Sequence, residues 1–153
     1  MSEAVPIFRP EILVTAEYLN QHPNFRFVFG DNLVRKGTGG AAKLRGHAQS
    51  VGFITKKYPN QLDKSFFTVE EYLPVFRREL QLLIDLIRTS PGLIFLICPL
   101  GSNLANRFGI WEAIIRRGLL EGLAPYYNQC WFLFGRTTIN EVGGTWTPNA
   151  FLL

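Results

Sequence analysis

Asp31 and Asn32 are the polar pair in this 153-residue chain best placed to do chemistry. They stand with Gly30 at the end of an apolar, aromatic run, residues 25–29, and a glycine loop, Gly37-Thr38-Gly39-Gly40, follows soon after. The loop opens a run of helical character from Ala41 to His47. Strand, polar turn, glycine loop and helix is the order in which an α/β protein builds an anion pocket. Glycine lets the backbone approach a ligand closely, and a helix N-terminus points unpaired N–H groups at negative charge. At a strand end Asn32 can hydrogen-bond a sugar hydroxyl or a base. Asp31 can do the same, or act as a general base. The plainer alternative is an Asx turn, in which both side chains satisfy local backbone.

A second constellation, residues 98–109, again follows an apolar strand and again leads into a helix. Gly101, Ser102 and Asn103 supply backbone and side-chain donors, and Arg107 adds charge. Two glycine-bearing loops at one sheet edge can grip the two phosphates of a diphosphate; the alternative is a pair of ordinary strand-to-helix turns. A third candidate is Thr55-Lys56-Lys57, where Lys56 can neutralise a phosphate or simply be solvated. The two histidines, His22 and His47, are isolated and read first as surface residues. Cys98 and Cys130 border apolar runs, so they read as small buried hydrophobes rather than as a disulfide or a reactive thiol. No spacing suits a metal site, and no cofactor is read from the sequence. A P-loop, a nucleophile elbow and a zinc-protease helix are all absent. Gly37-x-Gly39-x-x-Ala42 fits the loose dinucleotide fingerprint but starts well after its strand, and no acid ends the next strand to hold a ribose.

Composition narrows the classes. A content of 47% hydrophobic and 14% aromatic residues supports a real core and argues against disorder. The formal charge of +4 favours anionic ligands, but it is spread along the chain. The pairs Arg77-Arg78 and Arg116-Arg117 read as solvated helix faces, and nucleic acid ranks below a nucleotide-like small molecule. The longest uncharged apolar run, residues 93–100, is too short to span a bilayer, and residues 1–6 lack a basic leader pattern. A cytoplasmic protein without a membrane partner is the expectation; oligomeric state stays open.

Strands are expected at residues 12–14, 25–29, 51–55, 93–98 and 130–134. Thr15 caps a short helix through Asn20, and another spans residues 40–48. The strongest helix follows Thr68, with Glu71 completing a capping box, and runs to about Arg88, with Pro74 in its second turn marking a kink or a later start. A last helix covers 110–120 with Ile110, Ile114, Ile115 and Leu119 inward. Alternating strands and helices predict a single α/β domain over residues 1–153: three layers, a mostly parallel or mixed sheet, helices on both faces. Residues 135–153 are expected to form a C-terminal cap or hairpin.

The motif order resembles a little-characterised bacterial and phage family. It rests on residues 29–33 (Phe-Gly-Asp-Asn-Leu), the Gly-x-Gly-Gly-x-Ala of 37–42, Arg45-Gly46, and residues 52–56, where Phe53 replaces an Ile. That family is in turn similar to macro domains, which bind ADP-ribose and sometimes hydrolyse its linkage to proteins. The resemblance implies a macro-domain-like fold in which Asp31 and Asn32 address the sugar. Taken with the reading of the residues, the expected ligand- and phosphate-binding set is Gly30, Gly37, Thr38, Gly39, Gly40, Ala41, Lys56, Gly101, Ser102, Asn103 and Arg107. An Asn-Ala-Ala-Asn signature is absent and Thr38 interrupts the glycine triplet. A hydrolase with Asp31 activating water is the expectation if turnover occurs. The alternatives are a non-enzymatic nucleotide sensor or sponge, and an interaction module with no small ligand.

Overall fold

The computed structural model describes residues 5–135. Five runs of β-branched and aromatic residues form one parallel sheet: β1 (Ile7–Phe8), β2 (Phe25–Asn32), β3 (Ser50–Lys56), β4 (Ile94–Ile97) and β5 (Cys130–Phe132). Their spatial order is β1-β5-β4-β2-β3. All neighbours pair in parallel, so every connection is a crossover, and helices fill the crossovers. The fold is α/β, as the alternation of elements predicts.

Side chains alternate across the sheet, and both faces are apolar. Phe25, Phe27 and Phe29 of β2 and Leu96 of β4 pack with Leu19 and Leu44 on one face. Val28, Phe95, Ile97, Cys130 and Phe132 point the other way, against the helical segments between residues 69 and 123. The covering helices are α1 (Ala16–Gln21) on the first face, and α2 (Val69–Arg88) and α3 (Arg116–Gly122) on the second. Thr15 caps α1, and Thr68 and Glu71 form the reciprocal capping box of α2. Pro74 lies inside α2, which continues through it to Arg88. No helix of the described residues is long and apolar enough to cross a membrane.

α2 also closes an edge. β3 ends the sheet, and the backbone of Ile54 would face outward unpaired. Its N–H instead donates to Glu79 Oε1 at 2.7 Å, while the Tyr72 hydroxyl donates to its carbonyl at 2.6 Å.

Four expectations need correction. Residues 12–14 form no strand: Leu13 is exposed, Val14 is buried, and the sheet edge beside β5 is taken by β1 instead. The segment 40–48 is not an α-helix but a 3₁₀ turn, Gly40–Leu44. Gly40 holds φ +57°, and only Leu44 of the turn is buried, so no apolar stripe drives a longer helix. The 110–120 helix starts as a π-turn, Trp111–Ile115, before α3, although Ile110, Ile114, Ile115 and Leu119 are all buried as expected. Arg116 is buried, and Arg117 donates to the buried Glu121 at 2.7 Å, so that pair is not a solvated face. Arg77 and Arg78 are exposed. Beyond Gly135, the expected C-terminal cap lies outside the described residues.

Candidate functional site

Sheet order singles out one crevice. From β2 the chain crosses to β3 on one flank; from β4, on the other flank of β2, it crosses to β5. The two connections therefore diverge from the carboxyl ends of neighbouring strands, where open α/β sheets hold ligands. A cleft of about 420 Å³ lies there. Gly30, Asp31 and Asn32 from β2, the loop from Lys36 to Ala42, Thr55 and Lys56 from β3, and residues 98–105 after β4 line it. The structure thus gathers Gly37, Thr38, Gly39, Gly40, Ala41, Gly101, Ser102 and Asn103, from two distant stretches of sequence, around one space.

Backbone geometry explains the glycines that face this space. A Cβ on Gly30 would sit 3.1 Å from Thr55 Oγ1 and 3.9 Å from the Gly101 amide nitrogen, so the second loop comes close to the bare end of β2. Gly37 and Gly101 hold φ +98° and +73°, which L side chains rarely adopt. Among the described residues, the amides of residues 37–41, and those of Gly101, Asn103 and Leu104, donate to no other backbone carbonyl. These free donors, rather than a helix dipole, are what the first loop offers an anion, because its 3₁₀ turn is too short to act as a helix N-terminus.

The polar pair is committed to building the loop. Asn32 Nδ2 donates to the Lys36 carbonyl at 2.7 Å, and its Oδ1 accepts from the amides of Val34 at 3.2 Å and Lys36 at 3.4 Å. This is the Asx-type alternative read from the sequence. Asp31 is buried; its Oδ1 accepts from the Asn32 amide and from Arg45, and its Oδ2 from Arg35 at 3.0 Å. Arg35 adopts φ +53°, a left-handed conformation that costs a non-glycine residue about 1–2 kcal/mol, which its ion pair helps to offset.

Arg45 is the site residue whose role the sequence does not reveal. Its guanidinium joins Asp31 to the carbonyls of Gly37, at 3.0 Å, and Lys36, at 3.1 Å, and rests 5.5 Å from the centre of the Phe29 ring. One side chain therefore ties the glycine loop to the end of β2. The signal was its position just after the loop, among basic residues that otherwise look like general charge.

Charge in the cleft is lopsided. Lys36, Arg45 and Lys56 line it against a single carboxylate, Asp31, which already holds two guanidinium groups. Lys56 Nζ lies 4.5 Å from the centre of the buried Phe66 ring; burial and, next, the charge of Arg107 lower its pKa. Arg107 itself is not a lining residue. It pairs with Asp63 at 2.6 Å and donates to the Gln61 carbonyl at 2.8 Å, fastening the second loop to the segment after β3. Lys57 pairs with Glu71 at 2.8 Å, and His47 Nε2 lies 2.8 Å from Asn20 Oδ1. Cys98 lines the floor of the cleft as a free thiol pushed up to about 12 by burial, which keeps it protonated and unreactive. No group of three or more His, Cys, Asp or Glu among the described residues could hold a metal ion.

Residues 11–106 match a family of unknown function, a span that holds β2, β3, α2, β4 and every residue lining the cleft. No curated protein and no solved structure matches the chain.

Proposed function

The chain belongs to DUF7831, a family of unknown function, and we propose that it is a macro-like domain whose cleft binds ADP-ribose or a related nucleotide diphosphate. The supporting observation is the cleft itself. Two glycine-bearing loops with unpaired amides face each other at a switch point of the sheet, and three cations line the space against one doubly paired carboxylate. Free amides and excess positive charge suit phosphate oxygens, and the apolar wall of Pro59, Pro99, Leu100 and Leu104 suits a sugar or base.

Binding without turnover is the form of this reading that the site favours. Asp31 is buried and accepts three hydrogen bonds, two of them from guanidinium groups that stabilise its charge and weaken it as a base.

Thermal unfolding with and without millimolar ADP-ribose, NAD, AMP and ADP tests the reading. A ligand that binds only the folded state stabilises it by RT ln(1 + [L]/Kd), about 2.7 kcal/mol at a hundredfold excess over Kd. Selective stabilisation by ADP-ribose is the expected result. No stabilisation by any of the four would overturn the reading and leave an interaction module in first place.

A further inference from the structure

Lys56 is placed for covalent chemistry as well as for charge. β2 and β3 pair Lys56 with Asn32, so the lysine stands at the strand ends beside the first glycine loop. The carboxylates near it are taken by other cations: Glu71 by Lys57, Asp63 by Arg107, Asp31 by Arg35 and Arg45. Among the described residues Lys56 has no ion-pair partner of its own. Its ammonium shares the Phe66 ring with a second cation, Arg107, whose guanidinium carbon lies 4.2 Å from the ring centre. A lysine without a counter-ion, beside another cation and partly withdrawn from water, is the environment that frees an amine to act as a nucleophile. The burial of Lys56 and the charge of Arg107 act in that direction.

We infer that Lys56 is a carbonyl-reactive lysine, and that the cleft captures phosphate-bearing aldehydes by forming an imine with it. The amides of the two glycine loops hold the phosphate, and the neutral amine of Lys56 adds to the aldehyde carbon. The nitrogen loses both of its N–H hydrogens, and these leave with the carbonyl oxygen as one molecule of water. The product is a C=N bond, and no oxidant or reductant takes part. The inference rests on the anion-holding part of the function proposed above, and not on ADP-ribose as the ligand.

The sequence supplies its own controls, because Lys36, Lys43, Lys57 and Lys64 are the only other lysines. The full chain is treated with pyridoxal 5′-phosphate as the probe aldehyde, the imine is trapped with borohydride, and labelling is read at each lysine by peptide mass spectrometry. Lys56 should be labelled about tenfold more than the exposed Lys43 and Lys64, because phosphate held by the loop amides keeps the aldehyde beside its amine. Pyridoxal without its phosphate should lose the preference, and inorganic pyrophosphate should suppress labelling at Lys56 but not at Lys43 or Lys64. Labelling of Lys56 no greater than that of Lys43 and Lys64 overturns the inference, and so does equal preference for pyridoxal and its phosphate. The thermal-shift experiment reads ADP-ribose independently, so either idea can fail without the other.

Discussion

Asp31's carboxylate occupies the space that a side chain on Gly52 would need. A Cβ there would overlap Asp31 Oδ2 and lie 3.0 Å from the Arg35 guanidinium. Gly52 of β3 pairs with Phe29 of β2, two residues before Asp31, so the buried carboxylate leans back over its neighbouring strand. The glycine has an ordinary backbone conformation; it is required for room.

Gly52→Ala should therefore destabilise the fold by about 1–3 kcal/mol, the usual cost of forcing an extra carbon into a filled site. Urea unfolding checks it. In an Asp31→Ala background the same substitution should cost clearly less, and equal costs in both backgrounds would separate the two residues.

Arg45 and Arg35 hold the same carboxylate but should not count equally. Arg45 is largely buried and makes three hydrogen bonds that tie down the loop, whereas the Arg35 side chain is 55% exposed. Arg45→Ala should cost about 2–3 kcal/mol, as loss of a hydrogen bond to a buried charge does, and should speed exchange of the hydrogen-bonded loop amides of Lys36 and Ala42. Arg35→Ala should cost at most about 1 kcal/mol. The reverse ranking would show that Arg45 does not fasten the loop.

Gly39→Asp separates ligand binding from folding. A Cβ on Gly39 meets nothing within 4 Å, its φ is −73°, and it stands at the N-cap of the 3₁₀ turn, where Asp is favoured. The variant should melt at or above the wild-type temperature, yet lose any stabilisation by ADP-ribose through like-charge repulsion. Retained stabilisation would remove the first loop from the phosphate site.

Stability should fall on the alkaline side. Burial pushes the Cys98 and Cys130 thiols up from 9.0 to about 12, so the unfolded chain releases protons that the folded chain keeps. Their contribution is whole below pH 9.0 and is lost as pH rises toward 12, with a slope of about 1.4 kcal/mol per pH unit for each thiol. The buried Tyr72 phenol, raised well above 10.0 by burial and then by the Glu79 charge, adds to the same fall at higher pH. Denaturant unfolding across this range should show a shallower decline in a Cys98→Ala/Cys130→Ala variant. An unchanged slope would mean that the thiols reach solvent in the folded state.

Sequence by itself determined the elements whose cause is local. The apolar period of three and four, with Thr68 and Glu71 at its head, specifies α2 because capping and amphipathicity act within a few turns. Runs of Phe, Val and Ile specify β2 to β5, and the alternation of strands and helices specifies a parallel sheet. Clustering of glycines after two strand ends was enough to mark both loops of the cleft. Long-range contacts decided the rest. Whether residues 7–8 or 12–14 complete the sheet depends on which can reach β5, more than a hundred residues away. Asp31 and Asn32 looked free for chemistry because the arginines that claim Asp31, and the loop carbonyl and amides that claim Asn32, meet them only after the loop folds back on β2. Arg107 pairs with Asp63, 44 residues before it, a partner that its own sequence neighbourhood does not reveal. Propensity and period are written within a few residues, whereas the partner of a buried charge is fixed only when distant segments pack together.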